Sequence, residues 1–70
     1  MERFGEKLRQ LRQQSGYTAR DLAEQLDTSH THILQIEKGG RGPSAQLILK
    51  ISLFFEVSTD QLMRDDLELE

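Results

Sequence analysis

Cysteine is absent from these 70 residues. No disulfide can staple the fold, and no thiolate is available for a structural zinc site. Long apolar runs are missing too. The longest, Leu47 to Phe55, is interrupted by Lys50 and Ser52 and is too short and too polar to span a bilayer. The N-terminus, MERFGEKLRQ, lacks the apolar segment of a secretory signal. The chain is therefore expected in the cytoplasm, with no membrane partner. A basic excess is also wanting: nine Lys/Arg face twelve Asp/Glu, for a net charge of −3. That balance argues against a nucleic-acid ligand only until it is divided along the chain. Residues 1–43 carry seven Lys/Arg against six Asp/Glu, a net +1, and residues 44–70 carry two against six, a net −4. The cations sit in the first part, and the local field at a contact face governs binding rather than the total. Apolar residues make up 36% of the chain, enough for one small core and so for a single domain. A core of this size is marginal without a staple, and dimerisation is the common remedy left.

What is present is organised around Thr18 to Gly39, TARDLAEQLDTSHTHILQIEKG. Leu22, Ala23 and Leu26 form one apolar stripe at helical spacing, and Ile33 and Ile36 form another. Thr18 with Asp21 three residues on is a variant capping box, and Ser29 can cap the second run. Only Asp27 and Thr28 separate the helices, so the second must cross the first steeply. Ala23 is small enough to let them approach. Asp27 takes a position that needs a left-handed backbone, which Asp tolerates better than most residues other than glycine. Two helices joined this tightly make a helix-turn-helix, whose second helix can enter the DNA major groove.

The flanking chain reads as three more helices. Phe4, Leu8 and Leu11 line one face of a helix over Arg3 to Gln14, ended by Ser15-Gly16, with Gly5 a weak point in its first turn. The second helix runs from about Ala19 to Leu26, and the third from about His30 to Lys38. On the third, His30, Thr31 and His32 have no apolar partner and should face outward, with Gln35 one turn beyond Thr31. Gly39-Gly40-Arg41-Gly42-Pro43 is a flexible basic loop, and Ser44 caps a fourth helix, Ala45 to Phe55. Ala45, Ile48, Ile51, Ser52 and Phe55 form one face of it, while Leu47, Leu49, Leu53 and Phe54 fall largely outside that face. A helix apolar nearly all round is buried on more than one side, and a second subunit is the expected cover. Ser58 and Gln61 make a further capping box, opening a fifth helix with Leu62 and Met63 inward. The segment RDDLELE is expected to be frayed or loosely docked. The domain is thus placed at residues 1–64 and an acidic tail at 65–70.

In order, FGEKLRQLR, TARDLAEQLDTS, ILQIEKG, the proline, ILKIS and VSTDQL resemble the helix-turn-helix of phage repressors, Cro proteins and controller-type regulators, the XRE-like, lambda-repressor-like family. The likeness runs from residue 4 to 62. It implies an all-α, compact five-helix domain that binds operator DNA, usually as a two-fold dimer. By the resemblance, His30, Thr31 and Gln35 read base edges. Gln suits adenine, His suits guanine or a phosphate, and the Thr methyl suits thymine. Arg12, Ser29, His32, Lys38 and Arg41 meet the DNA backbone. Arg12 and Glu37 match a pair linking the first helix to the end of the third and aiming the arginine at a phosphate. Three departures stand out. Ala19 replaces a Gln that contacts the DNA backbone or an outer base, Asp27 replaces a turn glycine, and Glu56 replaces Gly or Asn after helix four.

Other chemistries fit poorly. His30 and His32 are two apart and point to different faces, so they make no metal site, and no cofactor is implied. Ser29 and His30 are neighbours that cannot face each other, which leaves no nucleophile and base and no expectation of catalysis. The expected function is a sequence-specific transcriptional regulator, a repressor or autoregulator, with duplex operator DNA as partner and a homodimer seam at Leu49, Leu53 and Phe54. The alternative is a protein-binding module, antirepressor or antitoxin-like, that meets a partner regulator through helix four and the acidic half.

Overall fold

Four of the five helices open on a hydroxyl that the sequence marks as a cap. The computed structural model describes residues 1–69, and among them it is all-α. The elements are α1 (Phe4–Gln14), α2 (Ala19–Gln25), α3 (His30–Glu37), α4 (Ala45–Phe55) and α5 (Thr59–Met63). Thr18, Ser29, Ser44 and Ser58 each accept a backbone N–H from the first turn of the helix that follows, and Thr18 and Ser58 do so in full capping boxes. Each such cap stabilises its helix by about 1 kcal/mol.

Helix ends follow one rule as well. After α1, α2, α3 and α4 the chain enters the left-handed region at Gly16 (φ 78°), Asp27 (φ 55°), Gly39 (φ 79°) and Glu56 (φ 56°). The next amide then returns to a carbonyl in the helix's last turn: Tyr17 to Arg12, Thr28 to Ala23, Gly40 to Gln35 and Val57 to Ser52. This closure satisfies carbonyls that the helix itself leaves open. Glycine reaches the geometry without strain, whereas Asp27 and Glu56 carry a local cost.

Phe4, Leu8, Leu11, Leu22, Ala23, Leu26, Ile33, Ile36, Leu47, Ile48, Ile51 and Leu62 form one continuous core. Each large member contributes roughly 2 kcal/mol by leaving water. α2 and α3 pack on each other, α1 lies across α3 and α5, and α4 packs on α5. Gly5 sits where α1 meets the end of α3. A methyl there would collide with the carbonyl oxygen of Ile36 and come within 2.9 Å of that of Glu37. The glycine expected to weaken the helix is what lets it dock.

Three expectations are corrected. The inward face of α4 is turned toward Leu47, which is buried, while Ala45 at the first position is exposed. The buried stripe is Leu47, Ile48 and Ile51, continued by the half-buried Phe54 and Phe55. Met63 is exposed, because α5 is little more than one turn and only Leu62 points to the core. The segment after α5 is tied down rather than frayed. The Asp65 carboxylate accepts the amides of Glu2 (3.0 Å) and Arg3 (2.9 Å), capping α1, whose own N-cap Arg3 makes no side-chain cap bond. Arg3 also reaches the carbonyl of Asp65 and the carboxylate of Glu68, each at 3.0 Å. Lys7 lies fully buried with its ammonium on the carbonyls of Gln61 (2.6 Å), Arg64 (2.7 Å) and Leu67 (2.7 Å).

Candidate nucleic-acid interface

The outer face of α3 is created by what its inner face buries. Ile33 and Ile36 are within the core, which turns Thr31 and Gln35 to solvent and leaves His30 half-buried beside them. Ser29 fixes the start of the helix by accepting the amide of His32 at 3.1 Å. Its hydroxyl is thereby engaged as a cap.

Arg12 fixes the far end. Its Nε and Nη2 donate to the two oxygens of Glu37 at 2.7 and 3.0 Å, and its Nη1 donates to the Tyr17 carbonyl at 3.1 Å. The side chains are 14% and 5% exposed, so the fork joins α1 to α3 largely away from water. The Glu37 carboxylate raises the pKa of the Arg12 guanidinium above its ordinary value. A two-pronged pair of this kind holds geometry as well as charge. The guanidinium keeps further N–H groups that these bonds leave unused.

The expected backbone contacts fall into three places. Arg12 and Lys38 line one shallow cleft together with Leu34 and Glu37. Arg9 lines it too, one turn before Arg12, and the sequence reading did not single it out. The i, i+3 spacing of Arg9 and Arg12 was the available signal. Arg41 is exposed but borders a different cleft, with Met1, Glu2 and Gly5. His32 is half-buried rather than fully outward, because its Nδ1 meets the Thr28 hydroxyl at 3.0 Å. Ala19, the first residue of α2, is half-buried against the core and offers no polar group.

The ion pairs show how the charge is spread. Arg3 pairs with Glu6 and Glu68, Arg64 with Asp66, and the terminal amine with Asp65. Acids of the tail are thus matched by cations at the start of α1 and the end of α5. Arg9, Arg20, Lys38 and Arg41 have no ion-pair partner among the described residues. Of the three seam residues, Leu49 and Leu53 are 54% and 70% exposed, one turn apart on α4. Phe54 is instead half-buried, its ring 5.6 Å from Tyr17 and 5.0 Å edge-on to Phe55.

A family model described as helix-turn-helix matches residues 8–62. The chain is 36% identical over 63 residues to the HTH-type transcriptional regulator ImmR of Bacillus subtilis, an alignment covering 90% of this chain and 50% of that protein. The chain thus corresponds to about half of that relative. Among solved structures, it is similar to the N-terminal DNA-binding domain of SinR from Bacillus subtilis, with a TM-score of 0.84 at 27% identity over 94% of this chain and 97% of that one. It is also similar to the P22 c2 repressor solved in complex with a synthetic operator, with a TM-score of 0.83 at 25% identity over 90% and 96%.

Proposed function

The chain belongs to the helix-turn-helix family of XRE-type transcriptional regulators, and from that premise we propose that it represses or autoregulates transcription by placing α3 in the major groove of an operator. The observation that carries this reading is the division of α3 into a buried and an open face. Ile33 and Ile36 lock the helix to the core, while Thr31 and Gln35 stand exposed, and Arg9, Arg12 and Lys38 gather around Leu34 and Glu37 at the end of the same helix. Gln35 can pair both hydrogen-bonding groups with an adenine edge, Thr31 can meet a thymine methyl, and His30 can donate to guanine. Arg12, Lys38 and Arg41, with Ser29 and His32 near the start of α3, supply phosphate contacts. These hold register without reading sequence.

A dimer completes the arrangement. The longest dimension of the protomer is 28 Å, and successive major-groove faces lie about 34 Å apart. One copy presents one α3, and two copies related by a two-fold axis reach both half-sites. Leu49 and Leu53 are the exposed large apolar residues of α4 available for the seam, with half-buried Phe54 at its margin. The same two leucines favour a second reading, in which this face takes a partner regulator instead of a second copy.

Equilibrium titration of labelled duplexes tests the assignment of residues. Gln35→Ala and Thr31→Ala should each cost about 1–3 kcal/mol of discrimination at one half-site position. Arg41→Ala should weaken all duplexes alike and lower the salt slope by about 1. Capture of a partner protein with no duplex binding at low salt would favour the second reading.

A further inference from the structure

We propose that Thr28 is a positioning residue that turns His32 into a phosphate donor at the edge of the groove, an inference that rests on the DNA-binding reading of α3. Thr28 belongs to the turn, not to either helix. Its amide donates to the Ala23 carbonyl at 2.9 Å, which pins it to the end of α2 behind the left-handed Asp27. Its hydroxyl meets Nδ1 of His32 at 3.0 Å, in the first turn of α3. One residue therefore fastens the end of α2 to a side chain of α3 across the turn that joins them.

A hydroxyl permits a state of the ring that a carbonyl would forbid. A carbonyl at this place would accept from Nδ1–H and leave Nε2 of a neutral imidazole as a lone pair, which repels a phosphate oxygen. A hydroxyl can donate to Nδ1, which puts the proton on Nε2 and makes that atom a donor. A hydroxyl can equally accept from Nδ1–H of the cation, so the orientation survives protonation. Nε2 has no hydrogen-bond partner among the described residues. The charged groups around the ring are Asp27 on the turn and Lys50 on α4, which line the same cleft. The Lys50 ammonium donates to the Leu26 carbonyl at 3.3 Å. Its positive charge is thereby held in the cleft that His32 lines, where it favours an anionic ligand and opposes the Asp27 carboxylate. The ligand these groups fit is a phosphodiester oxygen rather than a base edge.

The test uses the full chain, a random-sequence duplex of about two helical turns, and Thr28→Val, Thr28→Ser and His32→Ala. Nitrogen NMR of the imidazole should show the Nε2–H form with a hydrogen-bonded Nδ1 in the wild type. Thr28→Val should lose that signature and Thr28→Ser should keep it. His32→Ala and Thr28→Val should each weaken duplex binding about tenfold at fixed salt, the loss of one hydrogen bond to a charged phosphate. Each should leave the slope of log affinity against log salt unchanged, because a neutral imidazole releases no counterion. The double variant should lose no more than either alone. A Thr28→Val chain that melts earlier but keeps the wild-type affinity would overturn the proposal and leave the regulator reading standing. So would a His32→Ala chain with unchanged affinity. A wild-type chain that binds no duplex at low salt overturns both.

Discussion

Gly5 shows how a residue can be read correctly by local rules and wrongly in its effect. In isolation a glycine in a helix costs stability. Here it removes the one atom that would strike the Ile36 carbonyl and crowd that of Glu37. Gly5→Ala should therefore destabilise the chain, by about 1–3 kcal/mol as an overpacking change does, although Ala is the better helix former. Urea unfolding of the two proteins checks the sign. Glu56 is the converse case. Its left-handed φ of 56° is an ordinary place for glycine, so Glu56→Gly should raise the melting temperature, corresponding to about 1 kcal/mol. Both positions were visible in the sequence, but only Glu56 carried its meaning there, because a helix end is local and a helix crossing is not. Lys7 was not read from the sequence at all. It fills the i+3 place between Phe4, Leu8 and Leu11 on the buried stripe, yet nothing local announces the three carbonyls that it meets.

Among the elements, the four capping hydroxyls and the left-handed Asp27 were all readable, because each depends on residues within one turn of the chain. α4 was not fully readable. Almost every position on it is apolar, so the face read from the spacing, with Ala45 inward, competed with others, and in the fold Leu47 is buried while Ala45 is exposed. The segment after α5 was missed because its partners lie at the opposite end of the sequence. Amides of Arg3 and Glu2 hold the Asp65 carboxyl below the usual carboxylate range, and the Arg3 guanidinium does the same for Glu68. A carboxyl lowered on folding stabilises above its ordinary pKa and loses that contribution as pH falls through the lowered value. Asp65→Asn should therefore reduce the urea midpoint at neutral pH. The difference from wild type should shrink as the pH is taken below the carboxylate range. We expect the folding unit to extend through Leu69, whose carbonyl accepts from the Gln61 side-chain Nε2 at 2.9 Å, rather than to stop at residue 64 after the fifth helix.

At the scale of the whole molecule, a net charge of −3 is compatible with the proposed DNA-binding face because the acids and cations are sorted in space. The acids of the tail are spent on Arg3, Arg64 and the terminal amine, at the start of α1 and the end of α5. The exposed cations Arg9 and Lys38 lie at the end of α3, beside the fork of Arg12 and Glu37. Division of the charge along the sequence foreshadowed this, but the pairing that neutralises the tail required the fold.

Selection of bound duplexes from a random library, with the wild-type chain and Gln35→Ala side by side, is the most direct measurement of whether the open face of α3 reads bases. The account predicts an enriched motif of two inverted half-sites about 10 bp apart, with the preference at one position of each half relaxed in Gln35→Ala. Enrichment of no motif by the wild type, or of the same motif at undiminished strength by Gln35→Ala, would contradict it.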